Sequence, residues 1–75
     1  MWKNTTPKDK SGTVYYSDTD KNLISSKKLL VKTIYGGSNV DYILGYYVHS
    51  QKQWIDCESF RIDNVVSWCD PTEIA

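Results

Sequence analysis

The strongest constraint on the fold lies in the middle of the chain, where two β-prone runs flank a pair of glycines. The run Leu29–Tyr35 is rich in β-branched and aromatic residues, which fit a pleated, half-buried surface. Gly36 and Gly37 then supply the positive φ angles that a tight reversal needs. Residues 40–49 continue with bulky side chains at every second position. This arrangement predicts an antiparallel hairpin.

Further runs on the C-terminal side extend the same pattern. Residues 53–57 and 65–69 read as strands, and Pro71 ends the last one because proline cannot continue a ladder. With no helix long enough for a parallel crossover, the sequence predicts a mainly β fold. We expect a small antiparallel meander or open barrel of four to six strands with at most one short helical turn. The meander covers residues 29–70 of a single β domain, 1–75.

The N-terminal segment, residues 1–28, is predicted to be less regular. Residues 13–16 are β-prone but brief, residues 17–22 have loop chemistry, and residues 23–28 favour a loop with at most one turn of helix. The strand at 40–49 is placed at the centre, with one set of alternating side chains facing the core: Tyr42, Leu44, Tyr46 and Val48. Ile43 and Tyr47 then lie on the other face, which the N-terminal segment or another molecule covers.

Aromatic residues are abundant, with three Trp, six Tyr and one Phe in 75 residues. Tyr and Trp bring large contact area at little entropy cost, so a surplus beyond the core favours a protein-binding surface. Tyr35, Tyr47 and Trp54 are the predicted partner-binding residues. The other interpretation is that all the aromatic rings pack internally.

The charge balance favours neither the binding of a polyanion nor the imitation of one. Nine basic residues equal nine acidic ones, so the formal net charge is zero. Binding of single-stranded nucleic acid by a small β barrel is the alternative function, since lysines such as Lys32 and Lys52 accompany tyrosines that could stack on bases. Asp41 and Asp56 interrupt that positive field. No membrane span is expected, and the expected location is the bacterial cytoplasm.

Catalytic and metal-binding patterns are incomplete. Asp18-x-Asp20-x-Asn22 begins like a calcium loop, but Leu23 and Leu29 stand where the glycine and the bidentate glutamate belong. A cysteine nucleophile needs a base that a third group orients, and no signature supplies one here. The sequence therefore predicts no enzyme activity, no metal and no cofactor.

The two cysteines, Cys57 and Cys69, are expected to be free thiols, as is usual in a reducing compartment. A disulfide is the alternative. If the chain between Trp54 and Cys69 turns about Asp63, the two cysteines lie directly opposite each other, at a separation that a disulfide tolerates.

The order of several short motifs resembles a group of short phage- and prophage-encoded proteins of unknown function. In this chain the matching residues are Trp2 with Pro7, Leu30-Val31, Gly45-Tyr46-Tyr47, Trp54, and Val65-Val66-Ser67-Trp68 before Pro71. Residues 10–28 look like an insertion, and the ending Asp-Pro-Thr-Glu is less proline-rich than in the group. The resemblance implies a mobile-element origin and a compact β module, and it carries no catalytic residue.

The expected function is therefore a non-enzymatic protein-interaction module of phage or mobile-element origin. Its partner would be a host or phage protein, and inhibition of a host defence protein, as by an anti-CRISPR, is one form of this function. A homo-oligomer is a further expectation, because an exposed strand edge or a bulky second face invites pairing.

Overall fold

A computed structural model describes residues 2–16 and 21–73 of the chain. They form seven β-strands and one 3-10 turn at Pro71–Glu73. The strands are β1 (Gly12–Tyr16), β2 (Lys21–Ser25), β3 (Leu29–Tyr35), β4 (Asn39–Val48), β5 (Gln53–Asp56), β6 (Arg61–Ile62) and β7 (Val65–Cys69). The predicted fold class, a mainly β antiparallel sheet with at most one short helical turn, is confirmed. The sheet has one strand more than the expected four to six, since β6 adds a strand of only two residues.

The ten-residue strand β4 is the centre of the sheet, as the sequence predicts. It pairs with β3 over residues 39–45 and with β5 over residues 45–48, in both cases antiparallel. The β3–β4 hairpin turns through Gly36 and Gly37, whose φ angles are +59° and +88°. The β1–β2 hairpin joins β4 through the pair Ser25↔Val48.

The last strand does not pair where the meander predicts. β7 lies against β3, with Val31 opposite Trp68, and not against β5. The reason is a tight turn after β5, in which the Asp56 side chain accepts hydrogen bonds from the amides of Glu58 and Phe60. After this turn the chain forms β6, which pairs with β5. It then changes direction at Asn64, whose φ angle is 60°, and continues as β7 beside β3.

The N-terminal third is more regular than expected. Residues 12–16 and 21–25 form a hairpin. The loop or helical turn predicted at residues 23–28 is therefore wrong for residues 23–25. The start of β1 lies so close to the segment after β2 that a Cβ on Gly12 would overlap the carbonyl oxygen of Ser26, so this position requires glycine. The loop predicted at residues 17–22 is wrong at Lys21 and Asn22, which begin β2, and residues 17–20 lie outside the described residues.

The sheet has two faces of different character. Directly opposite residues in antiparallel strands share a face, so the register assigns Leu29, Val31 and Thr33 to the same face as Ile43, Gly45 and Tyr47. We call this the inner face, and Trp54, Ile62, Val65 and Trp68 also belong to it. Most of its members are buried, and it forms a large part of the core.

Residues 3–9 lie along the inner face and close it. Lys3 forms a two-way backbone bridge with Trp68, and the indole Nε1 of Trp68 donates to the carbonyl of Thr5 at 2.6 Å. Further along, Nε2 of His49 lies 2.7 Å from the carbonyl of Asp9, with which it forms a hydrogen bond. The sequence left open whether the N-terminal segment or another molecule covers the face that carries Tyr47. In the structure the N-terminal segment lies over it.

The orientation predicted for β4 is wrong in part. Val48 is buried as expected, but Tyr42 and Leu44 are exposed. Tyr47, placed by the sequence on the second face, is only 8% exposed. The register explains why Tyr42 and Tyr47 differ, because Tyr47 shares the face of the buried residues Val31 and Thr33, whereas Tyr42 lies on the opposite face.

Candidate interaction surface

Large apolar side chains are exposed together on the other side of the β3–β4 hairpin. We call this surface the outer face. The register gives it three side chains of β3, all half-buried, and three of β4, all exposed. These are Leu30, Lys32 and Ile34 from β3, and Val40, Tyr42 and Leu44 from β4. Trp2 joins them through its contact with Tyr42.

Two aromatic rings form the centre of the outer face. The rings of Trp2 and Tyr42 lie 5.8 Å apart between centroids and are inclined by 48°. This is a favourable range for an aromatic pair. The backbone bridge between Lys3 and Trp68 holds Trp2 beside the sheet. Trp2 remains 43% exposed and Tyr42 55%, so both rings offer area to another molecule.

Lys32 is the single charged residue that β3 and β4 contribute to the outer face. It lies directly opposite Tyr42 on one side and Ser67 on the other. Its side chain is half-buried, and it makes no ion pair with any residue of 2–16 or 21–73. A cation partly withdrawn from water without a counter-ion gains from an anionic group supplied by a partner.

The predicted partner-binding residues occupy two separate places. Tyr47 and Trp54 are opposite each other on the inner face, with ring centroids 5.2 Å apart. Tyr47 is buried and Trp54 half-buried, so they form part of the core. Tyr35 is 53% exposed but lies at the other end of the hairpin, opposite Asn39. The three residues therefore do not form one surface.

The cysteines are free thiols in separate environments. Cys57 is exposed and Cys69 is buried. The register that would place them opposite each other is wrong, because β7 pairs with β3 and Cys69 lies opposite Leu30. Burial raises the pKa of the Cys69 thiol. Within the described part of the chain, no three His, Cys, Asp or Glu side chains come together as a metal site.

A cavity of about 330 Å³ lies where the N-terminal segment crosses the inner face. Lys27 and Asp70 form an ion pair at its edge, and Nζ of Lys3 lies 3.9 Å from Oε1 of Glu73. The Lys27 ammonium, together with the amide and hydroxyl of Thr72, lowers the pKa of Asp70 to about 2. The Lys27–Asp70 pair joins the β2–β3 connection to the chain after β7, whereas the Lys3–Glu73 contact links the N-terminal segment to the 3-10 turn.

The comparisons with known protein families, with curated proteins and with solved structures gave no match. No helix among the described residues is long and apolar enough to cross a membrane.

The sequence contained a signal for this surface that the alternation of β4 alone could not give. A hairpin turning through Gly36 and Gly37 with Tyr35 opposite Asn39 places Lys32 opposite Tyr42. Lysine in the middle of a strand favours a solvent-facing position. That pairing assigns Tyr42 to the exposed face of the sheet.

Proposed function

We propose that this chain is a non-enzymatic protein-interaction module that binds its partner through the outer face. The observation that carries the proposal is the exposed pair Trp2–Tyr42, flanked by exposed Leu44 and Val40 on a regular sheet. Exposed apolar patches of this kind mark interaction sites, and Trp and Tyr are the residues that most often dominate binding energy.

A sheet surface suits this role because its backbone is already ordered by strand pairing. Tyr42 and Leu44 stand on β4, which is paired with β3 along the whole of the outer face. Little conformational freedom is lost when such a surface binds, so more of the contact energy appears as affinity. The phage-like order of motifs supports a host or phage protein as the partner, in the bacterial cytoplasm, with inhibition of a defence protein as one form of the activity.

The test is quantitative affinity capture from bacterial lysate with matched variants. Tyr42→Ser removes a ring from the outer face, whereas Tyr35→Ser removes an equally exposed ring from another place. A specific partner should be captured by the wild type and by Tyr35→Ser. Loss of a central aromatic contact of about 2 kcal/mol should reduce capture by Tyr42→Ser roughly 30-fold.

Two results would contradict the proposal. The first is a partner that Tyr42→Ser and Trp2→Ser retain at the wild-type level. The second is a partner that is lost only with Tyr35→Ser, which would favour the surface predicted from the sequence. Circular dichroism of each variant confirms that the sheet is intact.

A further inference from the structure

The charge of the outer face restricts what can bind there. The face has Lys32 near its centre, and no residue that β3 or β4 contributes to it is acidic. The nearest acidic residue along β4, Asp41, lies opposite Thr33 and therefore belongs to the inner face. A partner group that reaches Tyr42 also comes close to the Lys32 ammonium, because the two residues are directly opposite each other.

A second copy of this chain fits the outer face poorly. Two identical faces meeting about a two-fold axis would bring Lys32 towards its own equivalent, and a like-charge contact opposes association. A nucleic acid also fits poorly, because affinity for phosphates grows with the number of cations and this face offers a single lysine from its two strands. A protein segment that combines apolar side chains with a carboxylate can cover the apolar side chains of the outer face and pair with Lys32.

We propose that the outer face recognises a protein segment in which an Asp or Glu side chain lies next to an aromatic or aliphatic one. The carboxylate pairs with Lys32, and the apolar side chain packs against Trp2 and Tyr42. This inference rests on the proposed function, and it adds the chemistry of the partner. Burial by the partner strengthens the ion pair, since a charge contact removed from water is screened less.

The experiment is a selection from a displayed library of random linear peptides against four immobilised proteins. These are the wild type, Lys32→Glu, Tyr42→Ser and Lys21→Glu. Lys21 is the matched control for charge reversal, because it is exposed at the far end of the β1–β2 hairpin. We expect the wild type and Lys21→Glu to enrich peptides with an acidic residue beside an apolar one. We expect Lys32→Glu to enrich Lys or Arg at that position.

Affinities of the selected peptides provide the second readout. Exchange of the acidic residue for its amide should weaken binding to the wild type about tenfold and should leave binding to Lys32→Glu unchanged or improved. Peptides that need Tyr42 but show no acidic preference would overturn this inference and leave the proposed function standing. Peptides that bind Tyr42→Ser as well as the wild type would overturn both.

Other occupants are tested on the same proteins. Sedimentation of the wild type over a concentration series, with Tyr42→Ser beside it, reports self-association through the outer face. Anisotropy of labelled oligothymidine over a salt series reports nucleic acid. A dimer abolished by Tyr42→Ser, or micromolar oligonucleotide binding lost with Lys32→Glu, would overturn the assignment of an acidic protein segment.

Discussion

Gly45 gives the sharpest test of the packing, because it lies where β3, β4 and β5 meet. It pairs with Leu29 on one side and Asp56 on the other. A Cβ at this position would lie 2.5 Å from the carbonyl oxygen of Ile55 and 2.9 Å from Cδ1 of Ile62. The Ile62 side chain can move, but the Ile55 oxygen belongs to the backbone of the neighbouring strand.

Gly45→Ala should therefore destabilise the protein through steric overlap. Forcing extra atoms into a packed core costs about 1–3 kcal/mol, and we expect the upper half of this range because backbone must shift. Alanine also restricts the unfolded chain, which offsets roughly 0.4–1 kcal/mol. The net loss is about 1–2.5 kcal/mol, which lowers the melting temperature by about 4–8 °C for each kcal/mol.

The assay is urea denaturation followed by tryptophan fluorescence, with Gly37→Ala as the control. A Cβ on Gly37 meets nothing within 4 Å, so that variant reports only the cost of a φ of +88°. Steric overlap at Gly45 predicts repacking of β5 as well as lower stability, seen as shifts of the Ile55 and Ile62 NMR signals. Unchanged stability and unchanged signals in Gly45→Ala would refute the close approach of β4 and β5.

Three further predictions concern the N-terminal segment, the ion pair between Lys27 and Asp70, and the thiols. Trp68→Phe removes the indole hydrogen bond to Thr5, and the free energy of unfolding should fall by about 1–2 kcal/mol in urea titrations. The pKa of Asp70 in the folded protein, about 2, is below its ordinary value of 3.8, so the ion pair with Lys27 stabilises the fold above pH 4. Its contribution should be lost between about pH 4 and pH 2, and Asp70→Asn should show a shallower decline over that range; identical profiles would contradict the ion pair. Cys57 should react with a thiol reagent in the native protein, whereas Cys69 should react only on unfolding; equal rates would contradict their different burial.

The central hairpin could be predicted from sequence because local chemistry determines it. The strand Leu29–Tyr35 has the bounds that its composition indicates, and the glycine pair turns the chain where expected. Antiparallel pairing followed from the short connection. These features depend on residues close in sequence, so no long-range contact was needed to infer them.

The partner of β7 and the faces of β4 could not be inferred in the same way. β4 carries bulky residues on both sides, so alternation alone does not say which side is buried. The position of β7 depends on how the chain turns at Asp56 and Asn64, and both turns depend on specific side-chain or left-handed backbone geometry. The contact between Trp2 and Tyr42 could not be inferred, because the two residues are 40 positions apart in the sequence.

The most direct test of the outer face is site-specific photo-crosslinking in bacterial cells. p-Benzoylphenylalanine would replace Tyr42 in one variant and Tyr35 in another, since both side chains are more than half exposed. Binding through the outer face predicts a discrete covalent adduct with one protein from position 42 and little or none from position 35. An adduct formed only from position 35, or none from position 42 in a folded variant, would contradict the account.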